Sequence, residues 1–189
     1  MKSVLMSIQP KWCELIASGK KTIEVRKTKP KLDVPFKVYI YCTQDFANFA
    51  TKTKRSEMWV GEPLNNVSKG RYLGNGKVIG EFVCDEITEY PYETFNDGEH
   101  FMAYGELEKT CLDGRELYDY LGTKDGYGWH ISDLVIYDEP KELSEFKKIN
   151  RECWYADLGL AKRDCPECKN AECFISRPPQ SWCYVEGGE

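Results

Sequence analysis

Alternation and helical spacing divide the first stretch of the chain into three elements. Lys2 to Ser7 is a strand-like apolar run. Pro10 suits the first turn of a helix, where its missing N–H would be unpaired anyway. Trp12, Leu15 and Ile16 then fall on one face at spacing three to four. Gly19 follows as the residue after that helix, where a positive φ is easy for glycine. Beyond it Ile23 and Val25 alternate with Thr22, Glu24 and Arg26, which is the period of a strand. Lys21 stands at the strand entrance, where the period does not set its facing. A glycine, a lysine, a glutamate and an arginine are thereby gathered at a helix-to-strand corner. On an open strand face Glu24 and Arg26 would form only a surface ion pair, worth little. Beside a sharply turning backbone the same side chains become candidates for holding a ligand.

The remaining pattern is mostly β. Phe36 to Cys42 is rich in aromatic and β-branched residues and reads as a strand. Asp45 is placed to cap a helix running to Trp59. Residues 61–76 hold Gly61, Pro63, Asn65, Asn66, Gly70, Gly74 and Gly76 and read as loop. Lys77 to Thr88 reads as one long strand, with Gly80 a bulge or a site of close approach. A short helix is expected near Gly114 to Leu121, a strand over Gly128 to Tyr137, and a turn that packs Leu143 and Phe146. Ser181 to Val185 reads as a closing strand. Many strands, few helices and long connections fit a small barrel with insertions.

Composition narrows the class. At 189 residues, with 41% hydrophobic and 13% aromatic side chains, the chain can bury a core. No apolar run is long enough to span a membrane, and the N-terminus is too short and strand-like for a signal peptide. A soluble, cytoplasmic protein is expected. The net charge of −5 hides an asymmetry: residues 1–60 carry +7 (12 Lys/Arg against 5 Asp/Glu) and residues 61–189 carry −12 (14 against 26). The basic run Lys20, Lys21, Arg26, Lys27, Lys29 and Lys31 lies beside the corner and attracts phosphate. Tyr39, Tyr41, Phe46, Phe49 and Trp59 offer stacking surface nearby; core aromatics and a solvated charged face are the plainer account. An acidic chain is a poor duplex-DNA binder by composition, which leaves a local groove for a nucleotide or a short single strand.

Gly19, Lys21, Glu24 and Arg26 read together as G-x-K-x-x-E-x-R. This resembles the signature of the ASCH domain, a small β-barrel related to PUA domains. The first strand, the helix, the corner, the Gly80–Phe82 strand and the Gly128–Ile131 strand follow in that order over roughly residues 1–146. The ending Pro178 to Val185 is similar to that of phage and bacterial members. The resemblance implies an α+β, mostly β fold: a PUA-like barrel over residues 1–149 with a few short helices, and a Cys-rich extension over 150–189 whose last strand rejoins the barrel. It also implies binding of RNA, single-stranded nucleic acid or a nucleotide in a cleft edged by Gly19, Lys21, Glu24, Arg26 and Trp129.

Some small members hydrolyse the acetyl amide of N4-acetylcytidine with a lysine, a threonine and a distant glutamate, and others are ribonucleases. Lys21 matches the lysine. Glu24 occupies the threonine position, Thr22 is adjacent, and the distant glutamate falls among Glu99, Glu106 and Glu108. Lys21 and Glu24 are therefore the catalytic candidates, with proton transfer or nucleophilic attack by a tuned lysine as the chemistry. A clamp on phosphate or carboxylate is the plainer role for Lys21.

Cysteine forms a second constellation. Five of nine lie in the last forty residues: Cys153, Cys165, Cys168, Cys173 and Cys183. Cys165-Pro-Glu-Cys168 is a C-x-x-C knuckle that suits tetrahedral zinc, because two thiolates turn inward from one tight loop. Cys173, with Cys153 or Cys183, would close a structural site and staple the tail. A redox pair lacks a surrounding βαβ pattern, disulfides are disfavoured in a cytoplasmic chain, and free buried thiols are the plain alternative. Cys13, Cys42 and Cys84 fall in expected helix or strand and read as core. His130 in a strand reads as packed or hydrogen-bonded. Three function classes follow: an RNA-binding module, a hydrolase acting on a modified nucleoside or RNA, and a protein–protein adaptor.

Overall fold

The apolar run at the N-terminus becomes a central strand. In the computed structural model, which describes residues 2–44, 60–61, 72–73, 75–92, 107–149 and 174–187, β1 (Lys2–Ile8) has neighbours on both sides. It runs parallel to β3 (Phe36–Cys42) and antiparallel to β10 (Trp182–Glu186). A parallel pair needs a crossover; here α1 (Pro10–Ala17) and β2 (Ile23–Arg26) supply it. The sheet continues through β6 (Val78–Cys84) to β9 (Ser132–Lys141), in the order β10-β1-β3-β6-β9. A second sheet, β2-β8-β7, comprises β2, β8 (Gly126–His130) and β7 (Ile87–Tyr90). β4 (Val60–Gly61) and β5 (Tyr72–Leu73) pair with each other, within the stretch read from sequence as loop.

Both faces of the five-stranded sheet are covered, and alternation along the strands decides which residues go where. Val4, Met6, Ile8, Val38, Ile40 and Cys42 face α1 and the second sheet, packing with Cys13, Ile16, Phe36, Phe82 and Trp129. Leu5, Tyr39, Tyr41 and Val78 face the opposite way, against Phe146, Ile175 and Val185. That double burial is why β1 and β3 carry apolar residues at nearly every position. Cys13, Cys42 and Cys84 are buried, as their places in helix and strand foretold.

Two expected long strands each break in two. The chain leaves β6 at Cys84 and enters β7 at Ile87, and it leaves β8 at His130 and enters β9 at Ser132. At both breaks it passes from one sheet to the other. The result is two packed sheets, and among the described residues no hydrogen-bonded strand pair closes them into one barrel. Gly80 does lie at a register shift between β6 and β9, and a Cβ there would come within 2.4 Å of the Val135 carbonyl oxygen.

Two short helices cover the second sheet, α2 (Leu107–Thr110) and α3 (Gly114–Leu121). Asp113 starts α3 with a capping box: its carboxylate accepts from the Glu116 N–H at 2.7 Å, and Glu116 accepts from the Asp113 N–H at 3.1 Å. Leu117 and Leu121 point inward onto Val25 and Tyr90. The expected turn near Leu143 is a 3-10 turn, Leu143–Glu145, followed by buried Phe146. The helix expected between Asp45 and Trp59 lies outside the described residues. Among the described residues no helix is long and apolar enough to cross a membrane.

Candidate functional site

The corner forms as a helix stop followed by an anchored strand. Gly19 takes φ +72° and donates its N–H to the Ile16 carbonyl at 2.9 Å. The N–H groups of Lys20 and Lys21 both turn back to Leu15 O, at 2.9 and 3.0 Å. These bonds satisfy carbonyls that the last helical turn leaves open. Thr22 then fixes the strand start: its N–H donates to Lys109 O at 3.0 Å, and its carbonyl accepts from Ile131 N at 2.9 Å. Gly19 serves the turn and is not among the residues that line the cleft described below.

Past this corner every side chain of β2 is buried, the charged ones included. Lys21, Glu24 and Arg26 are exposed by only 2%, 6% and 7%. The Glu24 carboxylate sits between the two cations, with Oε1 at 3.0 Å from Arg26 Nη2 and Oε2 at 3.3 Å from Lys21 Nζ. The surface ion pair foreseen for an open strand is therefore a buried triad. Buried charges survive only when they are paired and hydrogen-bonded, and here backbone carbonyls complete the set. Lys21 Nζ donates to Thr110 O at 2.5 Å, a carbonyl at the end of α2. Arg26 Nη2 donates to Ser7 O at 2.7 Å. Among the described residues Glu24 Oε2, despite its proximity to Lys21, and Arg26 Nε find no hydrogen-bond partner.

The triad forms the floor of a cleft of about 580 Å³, within the roughly 300–1,000 Å³ usual for small-molecule sites. One wall is Trp12 from α1; Lys21 Nζ lies 5.0 Å from its ring centroid, within cation–π reach. Glu116, Asp119 and Tyr120 from α3 form a second wall. Burial pushes the Tyr120 phenol above its ordinary value, against the pull of the neighbouring Arg26 guanidinium. The third wall is the segment Pro178–Ser181, which leads into β10. Ser7 pins it twice: its hydroxyl donates to Pro179 O at 2.7 Å and its N–H to Ser181 O at 2.9 Å.

Of the expected site residues, Lys21, Glu24 and Arg26 come together at the cleft, and Trp129 lies outside its lining. That residue is fully buried, packed edge-on to Phe36 at 5.6 Å and tilted against Trp182 at 5.8 Å. It pairs in register with Glu24 on the neighbouring strand and shares its face of the sheet, but it packs into the main core cluster and is not among the residues that line the cleft. The aromatic rings at the cleft are Trp12 and Tyr120. Trp12 belongs to the apolar stripe read for α1, and Tyr120 sits in the short helix expected near Gly114 to Leu121; the fold brings both to one cleft.

Of the carboxylates considered for a distant catalytic role, Glu108 is exposed and outside the cleft lining, and Glu99 and Glu106 lie outside the described residues. His130 hydrogen-bonds Asp85 at 2.6 Å, also away from the cleft. Cys153, Cys165, Cys168 and Cys173 lie outside the described residues. Cys183 sits in β10 against the second apolar cluster, where burial pushes its thiol up. Among the described residues no three His, Cys, Asp or Glu side chains gather as a metal site.

Comparison with known proteins gives a family match whose span includes this corner. The model of the ASCH domain family matches residues 6–156, a span that contains α1, the corner, β2 and the α3 wall. A crystal structure of a point variant of an ASCH protein from Zymomonas mobilis is similar at 18% identity, over 98% of this chain and 91% of that one, with a TM-score of 0.50. The crystal structure of ASCH from Zymomonas mobilis is similar at 18% identity over 97% and 87%, with a TM-score of 0.48. No curated protein matches the chain in sequence. The family match covers most of the 189 residues, and the likeness to the point variant agrees with it in fold: this chain belongs to the ASCH domain family.

Proposed function

We propose that the protein is an RNA-binding module that holds one base or nucleotide of a single strand in the cleft beside the corner. The observation that carries this reading is the buried Lys21–Glu24–Arg26 triad at a cleft floor, its charges fixed by one another and by backbone carbonyls. A few fixed polar groups in a cleft orient a bound ligand. Trp12 and Tyr120 supply aromatic surface in the cleft lining, and single-stranded RNA bases are gripped by stacking on such rings. Membership of a family generally thought to bind RNA supports the same reading.

The competing reading is hydrolysis, favoured by one observation: a lysine ammonium 3.3 Å from a carboxylate in a cleft. Lys21 is held by Glu24 and Thr110 O, which suits a fixed cation better than an attacking amine. Titration of the protein with single-stranded RNA and with N4-acetylcytidine separates the two. A binder retains RNA and releases no product, and Lys21→Ala lowers its affinity. An enzyme yields cytidine or cleaved RNA, and Lys21→Ala lowers turnover while binding persists. Absence of both binding and turnover removes both readings and leaves a protein–protein adaptor.

For the tail we propose, on cysteine spacing, a structural zinc held by Cys165, Cys168, Cys173 and Cys153. Cys183 fits the set less well, because an apolar setting disfavours the thiolate that binds metal. Native mass spectrometry of protein prepared without chelator reads this as one zinc per chain, lost in Cys165→Ser. A metal-free mass would make these cysteines free thiols.

A further inference from the structure

The charges around the cleft are divided in a way that constrains the ligand. Two cations, Lys21 and Arg26, line it together with three carboxylates, Glu24, Glu116 and Asp119. Both cations are already engaged, Lys21 by Glu24 and Thr110 O, Arg26 by Glu24 and Ser7 O. A phosphate entering here would face the α3 carboxylates and would have to draw the cations away from Glu24, leaving a buried charge uncompensated. What the cleft lining offers instead is carboxylate oxygens, acceptors from Glu24, Glu116 and Asp119. Base edges present N–H donors that such acceptors can take.

Exposed cations follow β2 in the chain. After Arg26 the chain continues Lys27-Thr28-Lys29-Pro30-Lys31 with all three lysines exposed. Lys27 Nζ stands 5.2 Å from the ring centroid of Tyr120, the cleft-wall aromatic, and Lys29 Nζ stands 5.4 Å from that of Tyr127. The Lys31 N–H donates to the Tyr184 hydroxyl at 2.7 Å, which ties the end of the segment to β10. Lys29 shares its charge with Glu89 in an exposed pair, and such pairs are weak and readily exchanged.

We infer that the site divides its labour: the cleft selects an uncharged base edge carrying an N–H donor, and Lys27, Lys29 and Lys31 carry the phosphates of the strand outside it. This rests on the RNA-binding reading and adds the chemical class that enters the cleft. Discrimination between bases then belongs to the lining carboxylates, Glu24 among them, and salt dependence belongs to the lysine segment.

The test is calorimetric titration at two salt concentrations with the four nucleosides, their 5′-monophosphates and single-stranded RNA hexamers. A nucleoside and its monophosphate are expected to bind within roughly threefold of each other. The triple variant Lys27→Ala, Lys29→Ala, Lys31→Ala lowers the slope of log affinity against log salt for the hexamer by roughly 2, at about 0.7 per lost phosphate contact. It leaves nucleoside affinity unchanged. Glu24→Gln lowers nucleoside affinity and flattens base preference; since this buried change also loads the fold, the exposed lysine variant supplies an independent reading. A monophosphate that binds more than about tenfold tighter than its nucleoside, with strong salt dependence, overturns the inference. So does a triple variant with an unchanged slope. Hexamer binding with no nucleoside binding overturns the division of labour and spares the RNA-binding reading; no hexamer binding overturns both.

Discussion

Lys21 and Glu24, three residues apart in sequence, meet 3.3 Å apart with side chains 2% and 7% exposed. The contact exists because Gly19 turns the chain and the carbonyls of Lys109 and Thr110 catch the strand that follows. Neither side chain would be tolerated there alone. Glu24→Ala is expected to destabilise the protein by about 3–5 kcal/mol, because two cations lose their buried counter-charge. Lys21→Ala is expected to cost a similar amount, and the double variant less than the sum, since both remove one interaction. Urea denaturation of the three variants measures this; additive losses would show that the pair does not act as a unit.

Trp129 and Trp12 should respond oppositely to replacement. Trp129 is wholly buried, so Trp129→Ala is expected to cost about 3–5 kcal/mol of stability. Trp12 lies half-buried at the cleft wall, so Trp12→Ala is expected to fold and to lose about 1–3 kcal/mol of RNA affinity. Melting curves beside RNA titrations check both. A Trp12→Ala variant that binds as wild type would remove the stacking role.

Gly80 marks where β6 and β9 approach too closely for a side chain. An alanine Cβ would meet the Val135 carbonyl oxygen, a backbone atom, at 2.4 Å. Gly80→Ala is therefore expected to cost about 1–3 kcal/mol, the usual range for forced overpacking. Gly114→Ala, whose Cβ meets nothing within 4 Å, is the control. Equal denaturation midpoints for the two would contradict the close approach.

A polar cluster on the five-stranded sheet predicts how stability changes with pH. Glu81 accepts hydrogen bonds from Lys37 at 2.7 Å and from Tyr137 at 2.5 Å. Partial burial raises its carboxyl, but those bonds and the Lys37 charge outweigh it and hold it below its ordinary 4.5. A depressed carboxyl stabilises the fold above its unfolded value and loses that contribution as pH falls through the folded one. Lys37 is raised above its ordinary 10.5, chiefly by the Glu81 hydrogen bond, so its contribution is full below that value and fades as pH rises past it. Stability from this pair is expected to be flat between these limits. Glu81→Gln should reduce the acid-side loss below pH 4.5; an unchanged acid limb in denaturation curves would refute the assignment.

Local pattern carried a good part of this molecule. Helix α1, the stop at Gly19, β3, α3, the buried Cys13, Cys42 and Cys84 and the strand at Trp182 all follow from spacing and from the backbone habits of proline and glycine, which act over a few residues. The same local signals placed Lys21, Glu24 and Arg26 at one corner. What they left open was facing and company. Alternation set Glu24 and Arg26 opposite Ile23 and Val25, yet all four are buried, because α2, α3 and the Pro178–Ser181 segment close over the second side. Residues as far off as Thr110 and Ser181 complete the site, and no local period records such contacts. The sheet switches after Cys84 and His130 were hidden for a related reason: an apolar run reads as one strand until its hydrogen-bond partners are known. Trp129 shows the limit most plainly, since a strand tryptophan beside a charged corner fits core and cleft alike, and only the packing of Phe36 and Trp182 around it decided for the core.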